Sequence, residues 1–536
     1  MDIDGYPHGA ESAQVPDVTV VVAVYNTMPY LTGCLESVLG QTIGVDRLEV
    51  VAVDDGSTDD GGAELDRWAE RYPGTVKVLH QANSGGPAGP SNRALEIATG
   101  RYVFFLGADD TLGLEALERL ITTADELDAD IVLGRLVGTG GRNVNQAVYE
   151  PGNRDDINLV NYALPWALSN TKLFRRSMLE QHGIRYLEEL RSGSDQPFTI
   201  RAVAAARRIA VRSDYEFYYA ARRADSSNIT YRTSLSGFVR DTAIIMDTAA
   251  DVITEPVARM KVLRRHFTWE LGKLLGARFL EADREEQARV QEGVRKLAEV
   301  YLTDEIRASL DVQRRVPLSV AQFGTLDDLI AVVRHYADHK LSPVVYQNRR
   351  YYVDYPGFRD PARGFPDEWF DGTPQLRRKA HQDRPAEVRW GRAADGRRAL
   401  LIKWHSALTD LGQAGATAVR VALGRRAALP AAEEDGQGGA VISAALPLDE
   451  LVTGPAVKRT KKLRFSGASH GDTIGYDVTA TDVSAAQRHV HRRGGKLYLM
   501  SAALDKNGKI SVVAQPLTAR RVVGRMLHRL RKRRVA

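Results

Sequence analysis

The sequence predicts an α/β domain, then a helical region, then an all-β module. Three observations carry this. Between Asp17 and about Leu136, β-branched runs alternate with segments of helical spacing. From about residue 236 to 340, long helical patterns run without strand signals. Nearer the C-terminus, Asp395-Gly396 and Asn507-Gly508 interrupt alternating segments as hairpin-turn dipeptides. The 536 residues are also too many for one ordinary core.

The elements follow in order. VTVVVAVY (18–25) is a continuous apolar run, as expected of a strand buried on both faces. Leu31, Cys34, Leu35, Val38 and Leu39 keep helical spacing after Pro29. LEVVAV (48–53) is the second strand, and Ala63, Leu65, Trp68, Ala69 and Tyr72 form the next helix face. VKVLH (76–80), YVFFL (102–106) and DIVLG (130–134) continue the alternation, which predicts a parallel sheet covered on both faces. Ligands of such sheets bind beyond the carboxyl ends of the strands. The polar clusters YNT, DDGSTDD and GADD fall at those ends. The expected division is a disordered N-terminus (1–16), an α/β domain (17–235), a helical linker domain (236–345), a connecting segment (346–375), a β-sandwich (376–516) and a basic amphipathic tail (517–536).

The hydrophobic and charged fractions, 43% and 26%, are those of a soluble globular protein. No apolar run reaches the ~18 residues that span a bilayer. The first residues are acidic and lack the apolar stretch of a signal peptide, so a cytoplasmic location is expected. A single cysteine, Cys34, excludes an intrachain disulfide and reads as a small buried hydrophobe. The net charge of +5 is local: the last 18 residues hold eight Lys and Arg and no acid, which leaves 65 basic against 68 acidic residues elsewhere. That body is not expected to bind nucleic acid. In the tail, Val522, Val523, Met526, Leu527 and Leu530 share one helix face with Arg on the other, the pattern of a helix lying on anionic lipid.

Four motifs can carry chemistry. In VAVDDGSTDD (51–60), Asp54 ends a buried strand and can accept a hydrogen bond from a base-edge N–H; the same residues also read as a capped strand-to-helix turn. In FFLGADD (104–110), Asp109 and Asp110 offer hard oxygens to Mg²⁺ or Mn²⁺, which binds one or two carboxylates plus substrate phosphates. The loop NSGGPAGPSNRALEIATG (83–100) presents backbone N–H groups to phosphate, with helix patterning resuming at Ala94. It has no G-K-[ST] triplet, and GTGGRN (138–143) lacks GxGxxG spacing, which argues against a P-loop and a dinucleotide site. In GSDQPF (193–198), Asp195 is either a general base for a hydroxyl or a helix cap. Elsewhere, His489 and His491 share one strand face in the basic run HVHRRGGK, and Pro165-Trp166 reads either as an acceptor-cleft wall or as core.

The order of these motifs, from YN through VDDGSTD, the glycine-rich loop, FLGADD and KLFRRSML to SDQPF, resembles the family-2 glycosyltransferases of GT-A fold between about Val18 and Tyr231. Within them it is most similar to bacterial wall-teichoic-acid transferases that add N-acetylglucosamine to poly(ribitol phosphate). The resemblance implies a GT-A catalytic domain, a helical linker, C-terminal immunoglobulin-like β modules and a homotrimer. It implies that Tyr25 and Asn26 line the nucleotide, with Tyr25 on the uracil and Asp54 on its edge. Asn83, Gly86 and Pro87 would flank the uridine. Asp109 would contact the metal and diphosphate, supported by Asp110. Asp195 would be the base of an inverting reaction. Arg222, Arg223 and Ser226, in a segment (218–230) resembling a mobile loop, would hold the diphosphate. The donor implied is a UDP-sugar, and the acceptor an anionic glycopolymer or lipid-linked glycan at the inner face of the cell membrane. Two positions depart from the family pattern: Gly107 replaces the first Asp of D-x-D, and Ser91 replaces an Arg. These motivate a second expectation, a catalytically weakened glycan-binding scaffold. A third is a capsule or exopolysaccharide transferase.

Overall fold

The computed structural model describes residues 15–222, 233–339, 342–377, 379, 384–409, 411, 419–423, 426–428, 431–434, 438–452, 458–469 and 472–518. Arg223, Ser226 and nearly all of the amphipathic tail lie outside the described residues. The chain divides into two compact units, Met1–Leu274 with Ala282–Ile306, and Leu275–Glu281 with Arg307–Ala536. The helical region therefore does not stand apart but is shared between the two units.

The first unit is built on an eight-stranded sheet in the order β3-β2-β1-β4-β7-β6-β8-β5. Its strands are β1 (Val18–Val24), β2 (Leu48–Asp54), β3 (Val76–His80), β4 (Tyr102–Gly107), β5 (Thr111–Leu112), β6 (Ile131–Gly138), β7 (Leu173–Arg175) and β8 (Ile209–Ala220). β1 pairs in parallel with both β2 and β4, and β2 with β3. Nearly every residue of β1 and all of β2 are buried, as the unbroken apolar runs require.

The sheet is mixed, where the alternation predicted a parallel one. β7 lies between β4 and β6 and is antiparallel to both. A three-residue strand carries no readable period, so it is invisible in the sequence. β8 was also not legible, because its middle, Arg212–Tyr215, breaks the apolar pattern. It runs parallel to β6 with a register shift at Gly134–Leu136 and extends to Ala220. The first three residues of the segment expected to be a loop are therefore strand.

Six helices flank this sheet: α1 (Tyr30–Leu39), α2 (Gly61–Arg71), α3 (Ala88–Ile97), α4 (Ala116–Leu127), α5 (Arg176–Gln181) and α6 (Asp195–Ala205). α3 starts six residues before the expected Ala94. Pro90 lies in its first turn, where a missing N–H costs nothing because that donor has no helical partner. Cys34 is buried on α1, with Sγ 3.6 Å from the Gly107 carbonyl oxygen. α7 (Leu235–Val252) packs on α6, and the helix Arg284–Tyr301 packs on α7. α8 (Pro256–His266) passes directly into a π-helical turn, Phe267–Leu271.

α6 is tied to the sheet by aromatic rings. Phe198 stacks on Tyr186 at 4.4 Å and meets Phe105 at 5.2 Å and Phe174 at 5.4 Å, edge to face. Such geometries add to the burial energy of each ring.

In the second unit, Val344–Gln347 and Arg350–Val353 form a hairpin within the passage expected to be irregular. Its turn residues, Asn348 and Arg349, have φ of 51° and 60°, as a two-residue type I′ loop needs. The all-β module beyond it has a four-stranded and a seven-stranded sheet. Hairpins occur at Asp395-Gly396 and Asn507-Gly508, as expected. Fully buried Trp404 joins the sheets: its ring meets Phe465 at 5.8 Å and its indole N–H donates to Tyr476 Oη at 3.0 Å.

Truncating Phe198 leaves a cavity under α6. Phe198→Ala is expected to cost about 3–5 kcal/mol and to lower the urea midpoint of the first unit's unfolding, monitored by tryptophan fluorescence. An unchanged midpoint would contradict the anchoring role.

Candidate active site

The carboxyl ends of β1, β2 and β3 form the first part of the site. Val24 pairs with Asp54, and Asp54 with His80, so three strand ends meet at one edge. Asp54 accepts from the Ser57 amide at 2.9 Å, and His80 Nδ1 lies 3.0 Å from its other oxygen. His80 Nε2 is 3.0 Å from Asp66. Burial works against the charge on Asp54, but Ser57 and His80 outweigh it and hold the carboxyl below its usual range. Hydrogen bonds to Asp54 and then Asp66 raise the His80 imidazole in turn.

Asp55 ties this turn to the next loop. It accepts from Gln81 Nε2 (2.6 Å) and from the amide and hydroxyl of Ser84 (3.0 Å each). Gly56 has φ +74°, and a Cβ there would meet the Asn83 amide nitrogen at 2.8 Å, so the turn admits only glycine. Asn83 donates to the Asp55 carbonyl at 3.0 Å. Asn26 adopts a left-handed conformation, φ 49°, and its Oδ1 accepts from the Thr58 amide at 2.7 Å. Its side chain thus braces the 57–59 turn, while Tyr25 beside it is 38% exposed.

The second part is the turn after β4. Asp110 is buried, and both its oxygens have partners: the Tyr218 hydroxyl donates at 2.5 Å and the Ala221 amide at 2.7 Å. Arg142 approaches to 3.7 Å. Burial, then the adjacent Asp109, push the Asp110 carboxyl up to about 6. Gly107 lies against the same carboxylate. A Cβ there would stand 2.7 Å from Asp110 Oδ2. A side chain at 107 would therefore need the Asp110 carboxylate to shift.

The third part is Asp195, the first residue of α6. Burial raises its carboxyl, and the opposing charges of Lys172 and Arg265 restrain the rise. Lys172 is itself buried, is pushed down to about 7 by that burial, and donates to the Ser169 carbonyl. From α8, Arg265 donates to Gln196 Oε1 at 2.7 Å and to Glu270 at 2.6 Å. Glu270 also faces His266 Nδ1 at 3.1 Å. The helical region thus supplies a buried charge network to the residue next to Asp195.

Asp110 and Asp195 line one cavity of about 330 Å³, together with Arg142, Tyr186, Arg191 and Tyr218. Pro87 and Ser91 also border it, whereas Tyr25, Asn26, Asp54, Asn83, Gly86, Asp109 and Arg222 do not. Asp54 and Asn83 cluster instead with Tyr25 and Asn26 at the β1–β3 edge. The Arg222 backbone lies beside Gly140. Sequence reading missed Arg142, Lys172, Arg191, Tyr218 and Arg265. Arg142 sits in GTGGRN, where glycine spacing alone drew attention. Arg191 lies 3.5 Å from where a Gly85 Cβ would be, so a cation stands beside the glycine-rich loop although Ser91 replaces the family's Arg. Of Pro165-Trp166, Pro165 is buried, whereas Trp166 is half-buried and meets Trp269 edge to face at 6.4 Å.

Metal ligation can be tested on these residues. Among the described residues no group of three or more His, Cys, Asp or Glu could hold a metal ion. Asp109 and Asp110 offer two carboxylates, and both oxygens of buried Asp110 already accept hydrogen bonds, so a cation there would have to complete its shell with substrate oxygens.

Two outcomes follow. Because the folded pKa of His80 exceeds its unfolded value, its stabilising contribution is full below about pH 6.5 and is lost as pH rises through the folded value. Urea denaturation should show the stability gap between the native chain and His80→Gln widest at pH 5.5 and closed by pH 9; a gap that grows with pH would contradict it. Gly107→Asp adds a clash and a third negative charge. It should destabilise the metal-free protein by about 1–3 kcal/mol, and an unchanged thermal midpoint would refute the steric account.

The chain is similar to known glycosyltransferases. Residues 19–183 match the family described as Glycosyl transferase family 2, and residues 237–333 the Glycosyl transferase TarS linker domain. The poly(ribitol-phosphate) beta-glucosyltransferase of Bacillus spizizenii is 35% identical over 206 residues, 38% of this chain and 32% of that protein. The poly(ribitol-phosphate) beta-N-acetylglucosaminyltransferase TarS of Staphylococcus aureus is 36% identical over 205 residues, 38% and 35% respectively. The matched segment spans about a third of the length of those relatives. The crystal structure of S. aureus TarS superposes with a TM-score of 0.64 at 21% identity, over 94% of this chain and 86% of that one. TarS 1–349 in complex with UDP-GlcNAc gives 0.55 at 27% identity, over 64% and 97%. Among the described residues no helix is long and apolar enough to cross a membrane. The α/β unit of this chain is thus a GT-A domain of glycosyl transferase family 2, joined to a TarS linker domain and C-terminal β-sheets.

Proposed function

We propose that the protein is an inverting glycosyltransferase that moves a sugar, N-acetylglucosamine or glucose, from a UDP-sugar to a hydroxyl of a polyol-phosphate glycopolymer. The observation that carries this is the shared cavity. Asp110 and Asp195 both line it, and in this reading Asp110 serves the diphosphate and Asp195 the acceptor. The activities of the relatives supply the acceptor and donor classes.

Tyr25 and Asp54 bind the uracil face and edge, and Asn83 with Gly86 and Pro87 flanks the uridine. Asp109, with Asp110 behind it, would hold Mn²⁺ or Mg²⁺, which when bound offsets charge on the diphosphate. Arg142 and Arg191 add guanidinium donors for phosphate oxygens. Arg222, Arg223 and Ser226 are further candidates for holding the diphosphate. Asp195 takes the proton of the acceptor hydroxyl. That oxygen then bonds to the anomeric carbon as the bond to the UDP oxygen breaks on the opposite face. A carboxylate raised by burial is a stronger base, and the charges of Lys172 and Arg265 restrain that rise. Association with the inner membrane face through the tail, and a homotrimeric state, belong to the same reading.

The test is UDP release from UDP-N-acetylglucosamine and UDP-glucose with Mn²⁺, with and without poly(ribitol phosphate). Asp195→Asn should lower kcat by about 10²–10⁴-fold while UDP-sugar binding persists. Silence of the native chain with every donor, or full activity of Asp195→Asn, would sink the proposal.

A further inference from the structure

A second cavity, of about 330 Å³, lies in the β-module far from any strand end of the first sheet in sequence. Buried Ala399 and Leu448 contribute its apolar lining, with half-buried Trp390 and His489 beside them. Arg392 and Arg398 are exposed cations at the same cavity. Trp390 and His489 lie with ring centroids 5.4 Å apart. Arg398 Nη1 is 3.4 Å from His489 Nε2.

The charges here are uncompensated. Arg392 donates to the Gly396 carbonyl at 2.8 Å, and neither it nor Arg398 forms an ion pair among the described residues. The nearby acids are already engaged: Asp449 with His491 at 2.9 Å and Glu450 with Arg397 at 3.3 Å. Burial, then Arg398 and His491, depress the His489 imidazole, the response of a group in a cationic setting. The Trp390 indole N–H is buried without a partner, and such a donor is costly unless an acceptor is supplied. Most guanidinium donors of Arg392 and Arg398 are therefore open to an anion.

An indole ring beside two guanidinium groups matches an alternating ligand. Carbon-bound hydrogens of a polyol pack on the ring, while phosphodiester oxygens take the guanidinium forks. The strand that carries His489 continues through exposed Arg492 and Arg493, with exposed Lys496 following. That basic run suits a chain of repeating negative charges over a single ion.

We infer that the cavity formed by Trp390, Arg392, Arg398 and His489 is a second binding site for a phosphodiester-linked polyol polymer, separate from the site of transfer. The polymer class rests on the proposed function, but the cavity's anion chemistry does not. Its role is to retain a long acceptor.

The test uses the full chain and fluorescently labelled poly(ribitol phosphate) of defined length. Arg392→Ala/Arg398→Ala should weaken polymer binding at least tenfold and flatten its salt dependence. Arg397→Ala, which removes one positive charge next door but outside the cavity, should change binding less than twofold. Trp390→Leu should weaken polymer binding while leaving competition by inorganic polyphosphate unchanged. In transfer assays, the double variant should raise KM for the long polymer at least tenfold and leave a three-unit acceptor unaffected. Circular dichroism melting of each variant checks the fold, and Arg398→Lys should restore part of the binding. Equal binding by the native chain and the double variant would overturn the site. So would equal affinity for single-stranded RNA and for the polymer, or Arg397→Ala acting as strongly as the double variant. If the native chain transfers no sugar yet binds polymer through Arg392 and Arg398, the proposed function falls and the site stands.

Discussion

Parallel pairing of β1 with β2 on one side and β4 on the other organises the first unit. Val24 is held opposite Asp54, and Ala23 opposite Gly107. Because the three strands run the same way, every polar cluster that follows one of them emerges at the same edge. Tyr25 and Asn26, Asp54 and Asp55, and the 107–110 turn come from segments tens of residues apart, yet share one rim. Burial of β1 and β2 on both faces makes a register slip costly, so the rim is fixed by hydrophobic burial and not by its own polar contacts.

At that rim the dominant problem is negative charge. Asp54 sits at the β1–β3 edge, Asp109 and Asp110 in the turn after β4, and Asp110 shares a cavity with Asp195. The solutions differ. Asp54 is held charged by Ser57 and His80. Asp110 is held by Tyr218 and the Ala221 amide, yet still resists ionisation because of burial and Asp109. Asp195 is balanced by two cations from different elements, Lys172 before β7 and Arg265 on α8. The helical region is therefore more than a spacer. It contributes Arg265, His266 and Glu270 to the charge balance behind α6, across a π-helical turn of a kind often found at functional sites.

Within the second unit the same physics appears with the opposite sign. Its core is ordinary, with Trp404 bridging two sheets. Near the cavity by Trp390, however, cations accumulate without acids to match them. Surface arginines of this kind are usually offset by neighbours, as Arg397 is by Asp395 and Glu450. Arg397 and Arg398, adjacent in sequence, differ in this: Arg397 has two acidic partners, and Arg398 has none among the described residues.

Much of this was legible in the residues alone. The β-branched runs of β1, β2 and β4, the helix faces around Cys34 and Trp68, and the Asp-Gly and Asn-Gly hairpins are local signals, each decided by neighbours within a few positions. So were the motifs that carry Asp54, Asp109 and Asp195. Tertiary structure alone decided what those residues touch. Three-residue β7 has no period to read, and its antiparallel insertion turns the sheet from parallel to mixed. Pro90 looked like a breaker, but the first helical turn tolerates it. Gly107 looked like a lost ligand, and only the structure shows that the Asp110 carboxylate, held by Tyr218 on β8, lies beside it. Arg142, Lys172 and Arg265 reach the acids from separate segments, and no spacing rule connects them. Local propensity is written along the chain, but desolvation and charge pairing depend on which distant segments meet, and only the fold determines that.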